Sequence, residues 1–506
     1  MLMTTSLRFS FRVLLAVTIT ASGLLAAEVS TPAFVNNGLI LMEDDTERMA
    51  FWKEMAARNK ARFPDQSWPK PLPGAIEAWK DLRFGMFIHW GPISQLPQEI
   101  SLSRGRKGGV PVETYDKLST TFNPTRFDAD AWVANAKAAG MTYIILTAKH
   151  HDGFCLWPTK YTDYSIANTP FKRDVVGELA AACRRGGIKL GLYYSQVDWH
   201  HPLFPVTSPG GQNRRATYDL DAYDAYAHNQ MRELIQNYGP LLTIWNDLPH
   251  ECYWGRGAPI IRLGRELQPD LLFNNRTGSG GDYGTPEQEI GTFDFKNPWE
   301  SCMTVSARNQ WSYGGPEDGV KSLETCLGFL LSTAGGDGNL LLNVGPTAGG
   351  IIAPEQLAIL KGIGTWMEHN REGIIATRGG PYRPSDWLTS TRKGNVVYLH
   401  VRRWGEQGIT LPSLPRKVLS ATVLGGGSAT TTVVDDHLQI FVPVTDRQPV
   451  ATVVKLTLDG NAMDITPLEV GPPPAATPAA PTEAHRVENA GEVREHQKKQ
   501  GKKPVE

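Results

Sequence analysis

The 506-residue sequence predicts an α/β protein, a (β/α)8-like barrel followed by a small C-terminal β-sandwich. Three observations predict it. Amphipathic helical stretches alternate with short apolar runs, which implies parallel strands joined by crossover helices. The runs are apolar throughout rather than alternating, as in strands buried on both faces. Beyond Pro381 the rhythm changes to short segments rich in β-formers, separated by Gly, Pro, Asp and Asn, which fits antiparallel sheets.

The elements follow in order. Arg8 and Arg12 precede an apolar run at 13–25 that ends in Ala26 and Ala27. This is the charged, apolar, small-residue order of a secretory signal peptide, assigned to 1–27. The run is too short for a membrane span, so the mature chain is expected to be secreted or periplasmic, with no stable membrane insertion. The catalytic unit is assigned to 28–375 and begins with a charged helix at 43–62 and a Pro-rich connector at 64–73. Strands are expected at 84–88, 143–146, 189–193, 241–245, 271–273 and 339–344. Helices are expected at 128–139, 175–185, 222–238, 260–267 and 355–370, four of them closed by Gly or Pro. Six strands over about 260 residues match the extent of a (β/α)8 barrel, so two more must hide between 277 and 335. A doubly wound open sheet is the alternative, but no Gly-rich nucleotide fingerprint follows any strand. The sandwich is assigned to 376–460, with strands at 396–401, 421–424, 431–434, 438–442 and 450–458. The Pro/Ala-rich and then highly charged stretch at 461–506 is expected to be disordered.

Charge excludes some partners. Lys and Arg number 51 against 52 Asp and Glu, which argues against nucleic acid or an anionic membrane. The five cysteines include no CxxC pair, so neither a zinc ribbon nor a disulfide scaffold is indicated.

His89, His150, His151, Tyr194, Asp247 and Arg276 each follow the C-terminal end of an expected strand. In a barrel those ends converge on one face. Adjacent His150 and His151 on an extended segment would point to opposite sides, which argues against a shared metal ion. There is no GxSxG elbow for acyl transfer. Carboxylates, histidines and tryptophans in one cup suit a sugar and its glycosidic bond. Asp247 supplies one carboxylate, with Trp245 two residues earlier and pointing the same way. The second, about 5 Å away in a retaining enzyme, has three candidates: Glu287, Glu289 and Glu300.

At these residues the sequence resembles the retaining α-L-fucosidases, glycoside hydrolase family 29. The motifs are FGMFIHWGP (84–92), KHHDGF (149–154), LGLYYSQVDW (190–199), IWND (244–247), NNR (274–276), TPEQ (285–288), WESC (299–302), QWSY (310–313) and GNLLLNVGP (338–346). They run in order from 81 to about 370. The resemblance implies double displacement on terminal α-L-fucose of an oligosaccharide or glycoconjugate, without metal or cofactor. It implies Asp247 as nucleophile and Glu287 as acid/base, with Glu289 and Glu300 as second choices. His89, His150, His151, Tyr194 and Arg276 match hydroxyl-binding residues, and Glu99 matches a further one. Glu300 is included in the sugar site. Trp245 and Trp311 match aromatics around the sugar face and its C6 methyl. Leu102 stands where the family often has an aromatic, which bears on sugar preference. Two other readings remain: an exo-glycosidase of another specificity, or a non-catalytic carbohydrate-binding protein.

Overall fold

The computed structural model describes residues 35–36, 39–42, 44–211, 213–248 and 250–474. The expected signal segment and residues 475–506 of the expected tail lie outside the described residues.

Seven parallel strands form the centre: β1 (Phe84–Ile88), β2 (Tyr143–Lys149), β3 (Lys189–Ser195), β4 (Thr243–Asp247), β5 (Leu272–Phe273), β6 (Glu300–Thr304) and β7 (Asn339–Val344). Their spatial order is β5-β4-β3-β2-β1-β7-β6. All six expected strands occur, and β6 is one of the hidden ones. Between the edge strands, isolated parallel bridges join Asn274 to Tyr283, Gly284 to Trp299 and Glu287 to Cys302. Segment 283–287 therefore links the two edges and curls the sheet. It forms no regular strand, because Pro286 has no N–H to donate to a ladder.

The pleat sorts side chains into two apolar layers. Phe87, Tyr143, Ile145, Tyr193, Trp245, Cys302 and Leu341 point inward. Met86, Ile88, Ile144, Leu146, Leu192, Tyr194, Ile244 and Leu342 point outward under the helices. Burial on both faces is why the runs do not alternate. The outer helices are Ala129–Ala138, Val175–Gly186, Leu220–Tyr238, Gly257–Leu267, Leu323–Gly335 and Pro354–Asn370. Asp128, Asp174, Asp219 and Ser322 each accept a backbone N–H of the first turn that follows; such a cap is worth about 1 kcal/mol. Helix Leu323–Gly335 was not expected, since its Leu-Gly-Phe-Leu-Leu core reads as an apolar run.

The N-terminal helix Asp45–Arg62 packs on the loop after β4. Asn59 Nδ2 donates to Cys252 O (2.8 Å), and Arg256 Nε donates to Asn59 Oδ1 (2.7 Å). After the helix Pro354–Asn370, a five-stranded and a three-stranded antiparallel sheet enclose a second core that includes Leu388, Val397, Leu399, Leu411, Leu438, Ile440 and Leu456. The chain beyond 460 continues this unit: Leu468 bridges to Tyr382, and Trp387 Nε1 donates to Gly471 O (3.1 Å). This corrects the boundary expected at 461, because Ile465 is buried with the core. All five cysteines are buried and unbridged. Among the described residues no helix is long and apolar enough to cross a membrane.

Candidate active site

Asp247, the last residue of β4, faces inward two positions after Trp245. The register pairs Tyr193 with Trp245 and Ser195 with Asp247. Tyr193 thus lies beside the carboxylate, and its hydroxyl donates to Asp247 Oδ2 (2.9 Å) while its ring stacks on Trp245 at 5.5 Å and 17°. Tyr194 does not join this cluster, which corrects the expectation. One step along the pleat, it points outward and is fully buried. Its hydroxyl donates to Gln230 Oε1 (2.9 Å), and the Lys149 ammonium sits 4.3 Å from its ring centre.

The two adjacent histidines also differ from expectation. The chain turns at 150–153, with Gly153 N donating to His150 O (3.0 Å), so the rings lie side by side at 4.2 Å instead of opposed. Gly153 has φ +85°, and a Cβ there would strike the Asp198 carboxylate. The turn puts His150 flat against Tyr193, at 5.1 Å and 3°.

Hydrogen bonds set the ring protons. Asn343 Nδ2 donates to Trp311 O (2.7 Å), so Asn343 Oδ1 accepts from His89 Nδ1 (2.7 Å). The Ser195 hydroxyl donates to Val197 O (2.8 Å), so its oxygen accepts from His151 Nδ1 (2.6 Å). His150 Nδ1 meets Ser101 Oγ (2.7 Å). Burial lowers the His89 pKa to about 3 and that of His151 to about 4, and holds His150 well below its ordinary value. His89 and His151 are therefore neutral, with Nε2 left as an acceptor for a ligand hydroxyl.

Arg276 organises the carboxylates. Asn274 Oδ1 accepts from Asn246 N (2.9 Å) and Asn274 Nδ2 donates to Asn246 O (2.9 Å), fixing the end of β5 against β4. Arg276 Nη1 then reaches Asp247 Oδ1 (3.3 Å) and Glu287 Oε2 (2.7 Å). With both oxygens on one nitrogen, the two distances cap their separation at 6.0 Å. That suits the roughly 5–5.5 Å of a retaining pair rather than the roughly 6.5–9.5 Å of an inverting one. Burial pushes the Asp247 pKa up, but Arg276 and the Tyr193 hydroxyl outweigh it and hold it below the ordinary carboxylate value. Arg276 also lies over the Trp245 ring, at 4.9 Å.

The remaining expected residues divide. Trp311 stands against His89 at 4.9 Å and against Phe87 at 6.0 Å, closing one wall. Glu99 supports that wall: its carboxylate accepts Trp311 N (2.8 Å) and Ser312 N (3.3 Å). Burial raises its pKa to about 7 despite these donors. Glu289 is exposed and touches none of these groups. Glu300 is a further correction: it begins β6 instead of ending a loop, at the opposite end of the sheet from Asp247. Sequence reasoning missed Tyr193, Ser195, Ser101 and Asn343. Parity with Asp247 would have found Tyr193 and Ser195; Ser101 comes from a remote loop and carries no local signal.

Comparison with known proteins identifies the family. A family model described as alpha-L-fucosidase matches residues 53–372. Tissue alpha-L-fucosidase of Bos taurus is 30% identical over 396 residues, covering 71% of this chain and 82% of its own. Plasma alpha-L-fucosidase of Homo sapiens is 29% identical, covering 73% and 86%. Among solved structures, alpha-L-fucosidase isoenzyme 1 of Paenibacillus thiaminolyticus superposes with a TM-score of 0.70 at 33% identity, covering 76% of this chain and 99% of that one. A trapped covalent intermediate of a GH29 alpha-L-fucosidase from Bacteroides thetaiotaomicron gives 0.67 at 27% identity, covering 78% and 99%. With the family model spanning more than half of it, the chain belongs to the α-L-fucosidases of glycoside hydrolase family 29.

Proposed function

We propose that this protein is a retaining exo-glycosidase that removes terminal α-L-fucose from oligosaccharides or glycoconjugates through a covalent fucosyl-enzyme. The observation that carries the reading is the single guanidinium nitrogen shared by Asp247 and Glu287. Asp247, held ionised, attacks the anomeric carbon, while Glu287 gives its proton to the leaving oxygen. Glu287 then takes a proton from water, which opens the ester to Asp247 and releases fucose. The Nε2 atoms of His89 and His151 accept sugar hydroxyls, and Trp311 and Phe87 face the apolar C6 side. The curled sheet with segment 283–287 reads as a (β/α)8-like barrel, and the two C-terminal sheets as a β-sandwich. Residues 1–27 direct the chain to the periplasm or the outside of the cell.

The test is hydrolysis of nitrophenyl α-L-fucoside followed by NMR, with α-fucose as the first product. A 2-fluoro-fucosyl fluoride should leave its sugar on the peptide that contains Asp247. First formation of β-fucose, or hydrolysis of another glycoside in preference, overturns the reading.

A further inference from the structure

Glu300 is 0% exposed and, among the described residues, pairs with no cation. A buried carboxylate without a counter-ion costs several kcal/mol unless its hydrogen bonds compensate. Its bonds are two: Tyr143 Oη donates to Oε2 (2.5 Å) and Trp245 Nε1 donates to Oε1 (3.0 Å). A glutamine would fill the same space with no charge to desolvate, so stability does not account for a carboxylate here. Above it the connections run straight to the chemistry. Arg276 lies over the face of the Trp245 ring at 4.9 Å, and its Nη1 holds both Asp247 and Glu287. Burial raises the Glu300 pKa to about 7, so above that pH the indole N–H donates to an anion, which moves electron density into the ring and strengthens its attraction for the guanidinium.

We propose that Glu300 is a positioning residue, whose buried carboxylate anchors Trp245 and through it sets the Arg276 guanidinium between the two carboxylates. It touches no substrate. The inference rests on the retaining reading above, and one set of kinetics separates the two. Glu300→Gln should fold with the melting temperature of the wild type or a higher one, and lower kcat about tenfold with KM changed less than about twofold. Trp245→Phe, which keeps a ring but deletes the N–H, should lower kcat as well. In the Trp245→Phe background Glu300→Gln should then cost nothing further, because the route through the N–H is already gone. Wild-type kcat in Glu300→Gln overturns the inference and leaves the retaining reading intact. A tenfold loss repeated in the double variant also overturns it, since Glu300 would then act by another route. If Glu300→Gln fails to fold, Trp245→Phe alone decides, and wild-type kcat in that variant sinks the idea. Absence of fucoside hydrolysis by the wild-type chain overturns both.

Discussion

Tyr193 and Tyr194 are neighbours with the same ring, and the pleat of β3 sends them to opposite faces of one sheet. On the outer face polar groups satisfy one another. Tyr194 bonds Gln230, Lys149 pairs with Asp198 at 3.4 Å, and Tyr226 donates to the same carboxylate at 3.2 Å. On the inner face polar groups are held through one atom and leave another facing the cup. His89 and His151 are fixed by Nδ1 and present Nε2, while the Asp247 side chain keeps 17% exposure. The difference teaches that a closed hydrogen-bond network stabilises, whereas a site needs groups that are oriented but not saturated. Removing an inner group should cost rate, and removing an outer one should cost stability.

The largest expected effect tests the inner face directly. Asp247→Ala should lower kcat by about 10⁴-fold or more on every fucoside, and azide entering from the vacated side should yield β-fucosyl azide. Appreciable residual turnover without azide would remove Asp247 from its role. Glu287→Ala should cost about 10³-fold on glycans with poor leaving groups, yet still form the intermediate from activated aryl fucosides. Azide should then accelerate turnover and give α-fucosyl azide. If Glu289→Ala shows that response instead, the acid/base assignment moves to Glu289.

The tyrosine pair sharpens the contrast. Tyr193→Phe deletes a hydrogen bond to a charged acceptor worth about 1.5–3 kcal/mol, and should lower kcat about 10- to 100-fold with little change in melting temperature. Tyr194→Phe leaves the buried Gln230 Oε1 without that donor and should cost about 1–3 kcal/mol of stability, with kcat unchanged. Denaturant melts and steady-state kinetics on both variants check this, and equal effects on rate would break the comparison.

The smallest effect is the pH dependence of stability. His89 and His151 have folded pKa values of about 3 and about 4, below the ordinary 6.5. Between those values the unfolded chain binds more protons, so stability falls as pH drops below 6.5. The loss should reach about 1.4 kcal/mol for each histidine by pH 5.5. His89→Gln should flatten the melting profile between pH 7 and 5.5, and an unchanged slope would mean that His89 is charged in the folded protein.

Much of this protein was written locally. Apolar runs buried on both faces marked six strands, Gly and Pro stops marked helix ends, and the motifs around His89, His150, His151, Asp247, Arg276 and Glu287 marked the cup. The misses share one cause, which is that facing depends on where regular geometry stops. The motif at 193–194 names two tyrosines without saying which one the pleat turns inward, so it points to Tyr194 where the structure uses Tyr193. Glu300 reads as a loop carboxylate because β6 has no helix before it to announce a strand. His150 and His151 read as opposed because the turn that Gly153 permits is not visible in an extended segment.

The sequence by itself determined the parallel strands, the helices around them and the residue types gathered at the strand ends, because burial and hydrogen bonding act on neighbours along the chain. The tertiary structure alone decided which atoms meet. Arg276 reaches Asp247 and Glu287 together only because β5 is bonded to β4 and segment 283–287 bridges to β6. Register between strands far apart in the chain sets those distances, and local sequence does not encode it.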